Sequence, residues 1–174
     1  ARIGRAAQRR ALDAGKAGDS RALDRLRPAP GYERALAAAL GDDLEAAIGG
    51  DGVRRWAGAE RLTDDPSLPQ GCEALAHHVA APAELLRRLA QVAVAERDEG
   101  QPLAVGQRLV TRDGVLRRWD GYTAREGGAA AAEQLIRRNR LDAIAAARPA
   151  AEQEVEAARR ALDQATAREQ AASQ

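Results

Sequence analysis

Three groups of residues in this chain carry side chains that could do chemistry. Cys72, His77 and His78 would suit a metal. Adjacent histidines on a helix point about 100° apart and do not share a face, and no second cysteine stands at ligand spacing. They read as partly exposed helix residues. Asp42-Asp43 and Asp64-Asp65 are paired carboxylates of the kind that divide acid and base work. Both stand in turn or cap contexts, where aspartate is expected for backbone reasons. Gly15-Lys16 lacks the spacing and the hydroxyl of a G-x-x-x-x-G-K-[ST] phosphate loop. No catalytic residue, cofactor site or metal site is expected, and the chain is expected not to be an enzyme.

Glycines and arginines remain. Gly114, in Asp113-Gly114, is a hairpin turn residue. Arg117, Arg118, Arg125, Arg137, Arg138 and Arg140 read by default as a solvated helical face. Their functional alternative is weak, sequence-independent contact with DNA phosphates, centred on Arg137, Arg138 and Arg140. With 27 basic against 26 acidic residues, that contact would be modest. Two Trp, two Tyr and no Phe leave little for base stacking, which argues against a dedicated single-strand binder.

The elements that hold these residues must be built from a restricted set. The chain has 174 residues, is 2% aromatic and contains no Met, so its core is Leu, Val, Ile and Ala with a few aromatic anchors. A core of that kind has little surplus, and a dimer would bury more surface. The single cysteine excludes an internal disulfide and fits a reducing compartment. No apolar run approaches the ~20 residues of a membrane span, and no signal peptide is visible. The absence of an initiator Met, with helical segments at both ends, reads as a piece of a longer polypeptide.

Residues 1–26 read as a basic helical arm and 129–174 as an exit helix leading into a mildly acidic arm. In the latter, Ala151, Val155, Ala158, Leu162, Ala165 and Ala172 keep 4-3 spacing, interrupted only by Glu169. Pro149 is expected to kink or restart this helix. Opposite charge bias suggests that the two arms pair in antiparallel fashion. Between them, residues 27–128 read as an α/β body. Tyr32, Leu36 and Leu40 mark a helix ended by Gly41, and Leu44, Ala46 and Ile48 alternate as a strand. Residues 53–60 around Trp56 are expected to be helical. Pro82 opens a helix with Leu85, Leu86 and Leu89 buried. Gln91–Glu96 alternates as a strand, and residues 108–112 and 115–119 form a hairpin whose strands, Leu109, Val110 and Thr111 included, are either internal or present an edge that invites pairing with another chain.

Two segments carry a resemblance. Pro30-Gly31-Tyr32-Glu33-Arg34-Ala35-Leu36 through Leu44, and Gly106-Gln107-Arg108-Leu109-Val110-Thr111-Arg112-Asp113-Gly114 with Gly121 and Gly127-Gly128, resemble the hinge domain of bacterial SMC proteins. Arg118-Trp119-Asp120-Gly121-Tyr122 looks most like the alphaproteobacterial form, and Leu135–Leu141 resembles the start of the returning coiled coil. The resemblance implies a hinge-like fold of two small mixed subdomains flanked by coiled-coil arms. It implies a homodimer joined head to head, with Gly121, Gly127, Gly128, Leu109, Val110 and Thr111 at the interface. It further implies a role in chromosome condensation and segregation in the nucleoid-bearing cytoplasm. ATP and kleisin would bind only at head domains outside this segment. The rival readings are a free-standing basic coiled-coil protein that binds nucleic acid and a small α/β enzyme. The first would have no strands. The second would need a convergent polar site.

Overall fold

The computed structural model describes residues 20–125 and 127–172. Residues 1–19 of the N-terminal arm expected over residues 1–26, and with them its pairing with the C-terminal arm, lie outside the described residues. The chain divides into two compact units, one ending at Ile136 and the other beginning at Arg137. The first is the α/β body.

Its main sheet has five strands in the order β4-β6-β7-β8-β9, comprising β4 (Glu73–Ala74), β6 (Val92–Ala95), β7 (Arg108–Thr111), β8 (Leu116–Arg118) and β9 (Thr123–Ala124). β6 and β7 run parallel, and the other pairs are antiparallel. All four residues of β6 are buried. Its Val-Ala alternation therefore marks a strand covered on both faces, not one with a wet side. Two short ladders brace the rest. β1 (Arg27–Pro28) pairs with β5 (Val79–Ala80), and β2 (Ala47–Ile48) runs parallel to β3 (Arg55–Trp56). This sheet content excludes the all-coil rival.

Three helices belong wholly or partly to the body: α1 (Ala22–Arg25), α2 (Glu33–Leu40) and α3 (Ala83–Ala90), with α4 (Ala129–Ala172) starting there. α2 is the most deeply buried. Every residue from Ala35 to Leu40 is buried, on all sides of the helix. An amphipathic helix buries one stripe. Here small alanines on the remaining faces let neighbouring backbone come close. Gly41 ends the helix at φ 55°, a conformation in which a Cβ would be strained.

Several expectations change. Ala22, Leu23 and Leu26 are buried in the main core, so the body extends into the stretch read as arm; likewise Ala132 and Leu135 of α4 are buried. Leu44 sits in a 3-10 turn (Gly41–Glu45), with only Ala47–Ile48 forming strand. Trp56 is in β3, not a helix: its carbonyl accepts the Gly49 N–H at 2.9 Å, the Arg54 carbonyl accepts the Ala47 N–H at 3.0 Å, and its indole N–H donates to the Asp43 carbonyl at 3.0 Å. In α3, Leu85 and Leu89 are buried while Leu86 is 44% exposed. Pro149 lies inside α4, which runs unbroken past it.

The loop joining β6 to β7 is tied to β8 by an ion pair. Arg117 Nε donates to both Asp98 oxygens at 2.8 and 3.0 Å, and Arg117 Nη2 donates to the Gln101 carbonyl at 2.8 Å. The Arg117 hydrogen bond, aided by the Gly100 N–H, holds the Asp98 carboxyl below its ordinary pKa. A depressed folded pKa contributes stability above the unfolded value of about 3.9, and the contribution is lost as pH falls through the folded value. Asp98→Asn should therefore cost about 1 kcal/mol near neutral pH, discounted for partial exposure. The gap should close in acid. Urea melts at several pH values check this; a pH-independent gap would refute a charge contribution.

Candidate dimer interface

The residues expected at a dimer contact fall into three places. Leu109, Val110 and Thr111 are in the interior of the sheet. β7 is paired on one side by β6 and on the other by β8, and all three residues are buried. Both of its hydrogen-bonding edges are spent within the chain. The expected open edge at this hairpin is therefore corrected. Thr111 instead closes the turn: its hydroxyl donates to Asp113 Oδ1 at 2.6 Å and accepts from the Val115 N–H at 3.1 Å.

The open edge lies two strands further along the chain. β9 pairs with β8, and no described strand occupies its other side. Gly121 sits in the tight turn leading into β9, at φ 86°, and a Cβ there would meet nothing within 4 Å. Beside it Trp119 is 46% and Tyr122 53% exposed. The Arg118 guanidinium lies 5.2 Å from the Tyr122 ring centroid, a cation–π contact. Arg118 also pairs with Asp120, and that hydrogen bond holds the Asp120 carboxyl below its ordinary pKa. The turn thus presents two aromatic faces next to unpaired backbone.

Gly127 and Gly128 differ from each other. A Cβ on Gly127 would meet Ala38 Cα at 3.8 Å, an ordinary contact. A Cβ on Gly128 would lie 2.6 Å from the Ala37 carbonyl oxygen and 2.8 Å from its carbon, at φ 74°. The close backbone approach expected between two chains at Gly128 occurs within one chain, against α2. The Gly128 carbonyl then accepts the Ala132 N–H at 2.9 Å, which starts α4.

Arg137 and Arg140 are exposed and Arg138 is half-buried on α4, in the second unit. Several of the other chemistry-bearing groups have structural partners. His78 stacks on Tyr32 with ring centroids 4.0 Å apart and planes 8° from parallel, and its Nε2 is 2.7 Å from Glu73 Oε2. Arg112 Nη2 donates to the Tyr32 hydroxyl at 2.6 Å. Asp65 takes a bidentate pair from Arg87 at 2.6 and 3.1 Å. Among the described residues no group of three or more His, Cys, Asp or Glu could hold a metal.

One organising residue was not singled out from the sequence. Gln107 is buried, accepts the Ala104 N–H at 2.9 Å, and donates to the carbonyls of Ser67 and Pro66 and to Gln91 at 3.0–3.3 Å. It pins the Pro66–Ser67 loop to the start of β7. Its position inside the Gly106–Gly114 motif was the available signal.

Comparison with known proteins fixes the family. The chain is 43% identical over 150 residues to the chromosome partition protein Smc of Rhodopseudomonas palustris, a match covering 83% of this chain. The chain belongs to the SMC family. It is also 42% identical over 146 residues to Smc of Cereibacter sphaeroides. Both organisms are alphaproteobacteria, as the Arg118–Tyr122 wording of this SMC segment suggested. The match spans 13% of the length of each of these relatives. No family model matches the chain. Among solved structures, an asymmetric dimer of the Geobacillus stearothermophilus SMC hinge domain is similar to it, with TM-score 0.48 and 18% identity over 74% of this chain and 66% of that one.

The two glycines yield opposite expectations. Gly128→Ala should destabilise this SMC segment by about 2–3 kcal/mol, because positive φ and overpacking against Ala37 act together. Gly127→Ala should stay within about 0.5 kcal/mol of wild type. Denaturant titration of both variants checks this, and equal effects would refute the intrachain contact.

Proposed function

We propose that the chain is the homodimerisation hinge of a bacterial SMC protein that acts in chromosome condensation and segregation. The observation that carries this reading is the open β9 edge, flanked by exposed Trp119 and Tyr122 and by the Gly121 turn. An unpaired edge with an apolar rim is a template for strand addition. A second copy adding there in two-fold fashion covers the β9 edge of both chains in one closed contact. The interface on this reading is built on Gly121, Tyr122, Thr123 and Trp119, with Gly127 near it and Gly128 supporting it from within the chain. The reading assigns no catalytic step to this segment. ATP and kleisin belong to head domains outside it, and the setting is the nucleoid in the cytoplasm.

Sedimentation at about 10 μM should show two chains, in the affinity range of a small specific interface. Tyr122→Glu should weaken the dimer at least about tenfold, as an interface aromatic replaced by a charge does. Because Tyr122 is half exposed, the variant's fold should be unchanged by circular dichroism. A wild type that stays monomeric sinks the proposal, and an unaffected Tyr122→Glu dimer sinks this interface.

The same proposal includes weak DNA contact at Arg137, Arg138 and Arg140, supported by the exposure of Arg137 and Arg140 three residues apart on α4. Such contact is indifferent to sequence and falls with salt, because each neutralised phosphate releases condensed counterions. Reversing the three charges to Glu should abolish a gel shift seen at low salt while leaving the sedimentation of the chain unchanged. Equal binding by wild type and variant would place the contact elsewhere, and no wild-type shift at low salt would remove it.

A further inference from the structure

A cavity of about 440 Å³ opens between β3, α3 and the Gly106 turn, lined among others by Trp56, Pro66, Glu84, Arg87, Arg88 and Val105. That volume lies within the range of small-molecule sites. Its walls are largely apolar, and its polar groups differ in one respect. Arg87 is neutralised by its bidentate pair with Asp65. Gln91 spends its amide on the Pro66 carbonyl at 3.2 Å and on Gln107 at 3.1 Å. Arg55 reaches only the fully exposed Asp51, at 3.6 Å. Arg88 donates Nη1 to the Gly106 carbonyl at 3.1 Å, and its Nη2 is a buried polar side-chain atom without a partner among the described residues.

A partly buried guanidinium with one enclosed, unpartnered nitrogen and no ion pair is costly. Of the three arginines that line the cavity, Arg87 has Asp65 and Arg55 has Asp51, whereas Arg88 makes no ion pair among the described residues, although Glu84 shares the wall. Burial, and next the nearby charge of Arg108, push the Arg88 pKa down to about 10, with Asp43 too weak an opposing influence to restore it. Arg108 is itself lowered by burial and spends Nη1 on the Ala39 carbonyl. The local field therefore favours an anion.

We propose that this cavity binds a small oxyanion-bearing ligand, with Arg88 as the anchor for its phosphate or carboxylate and Trp56 and Val105 as the apolar wall for its body. The Arg88 guanidinium, whose enclosed Nη2 has no partner among the described residues, turns to give the ligand a charge-assisted hydrogen bond. The Trp56 ring is held in place by its indole bond to the Asp43 carbonyl. None of the residues that line the cavity belongs to β9 or α4, so this assignment stands whether or not the chain dimerises as proposed.

The test uses the whole chain with phenyl phosphate as the probe and inorganic phosphate as the headgroup alone. Calorimetric titration should give saturable binding at one site per chain, with inorganic phosphate weaker. At about ten times Kd the melting temperature should rise by about 3 °C over sodium chloride at matched ionic strength. Arg88→Met keeps the packed stem and removes the charge. It should melt no lower than wild type in chloride and bind phenyl phosphate at least about tenfold more weakly. Arg88→Lys should fall between them. If either Arg88 variant fails to fold, Val105→Glu, at an exposed wall position, should weaken binding by like-charge repulsion. No saturable binding by folded wild type overturns the proposal, as does binding that Arg88→Met leaves unchanged. If phenyl phosphate has no effect and Arg88→Met instead lowers the dimer mass in sedimentation, the charge is answered by a second copy and the small-ligand site is refuted.

Discussion

The body depends on how close Gly128 can come to the backbone of α2. The Ala37 carbonyl occupies the space a side chain at position 128 would need. That contact joins the two halves of the chain, residues near 37 and residues near 128, through backbone and not through large side chains. It is possible only because α2 carries alanine at positions 35, 37, 38 and 39, so that no bulk stands between the helix axis and its neighbours. Gly114 packs against the start of the same helix at ordinary contact distance, where a Cβ would lie 3.5 Å from Arg34 Cβ; its constraint is its φ of 95°. In a chain without Phe or Met, close backbone packing replaces the volume that aromatic side chains usually fill.

That contact also sets where the sheet ends. With α2 clamped between the hairpin turn and the start of α4, the chain between them has room for β8, the Gly121 turn and β9. The sheet then stops, because the next residues are drawn back to α2. The edge strand is thus produced by the same glycine that starts the exit helix. The contact proposed at β9 and the structural contact at Gly128 lie four residues apart, so they are easily merged into one interface when only their sequence is read.

Much of the body was legible. The α2 stripe, the Pro82 start of α3, the β6 strand and the Asp113-Gly114 hairpin all follow from local periodicity and turn chemistry, which act over a few residues. The failures are non-local. Leu109 to Thr111 have the pattern of a strand, but whether a strand is at an edge or in the middle depends on which other segments pair with it, and β6 arrives from across a twelve-residue connection. Trp56 took its conformation from β2 and Asp43. Leu86 lies on the helical stripe beside Leu85 and Leu89, yet the core reaches only part of that face. Pro149 could be accommodated because an exposed helix can leave the Ala145 carbonyl to water. Of the site, Gly121 was readable as a special position; that Gly128 faces its own chain was not, since spacing does not say which backbone a glycine lets in.

The scarcity of aromatic residues makes their placement informative. Of two Trp and two Tyr, Tyr32 is buried in a stack with His78 under Arg112, and Trp56 is fixed by Asp43. Both serve the single chain. The other two stand on the same turn, next to the one end of the main sheet where the exit helix begins, and each is about half exposed. A core built of Leu, Val, Ile and Ala would gain more from an inward-facing Trp than from any other substitution, because aromatic side chains bury the most surface per residue. Their outward placement runs against the stability of the isolated body. It is consistent with the β9 turn being completed by something outside the chain, and a self-complementary edge makes a second copy the simplest completion.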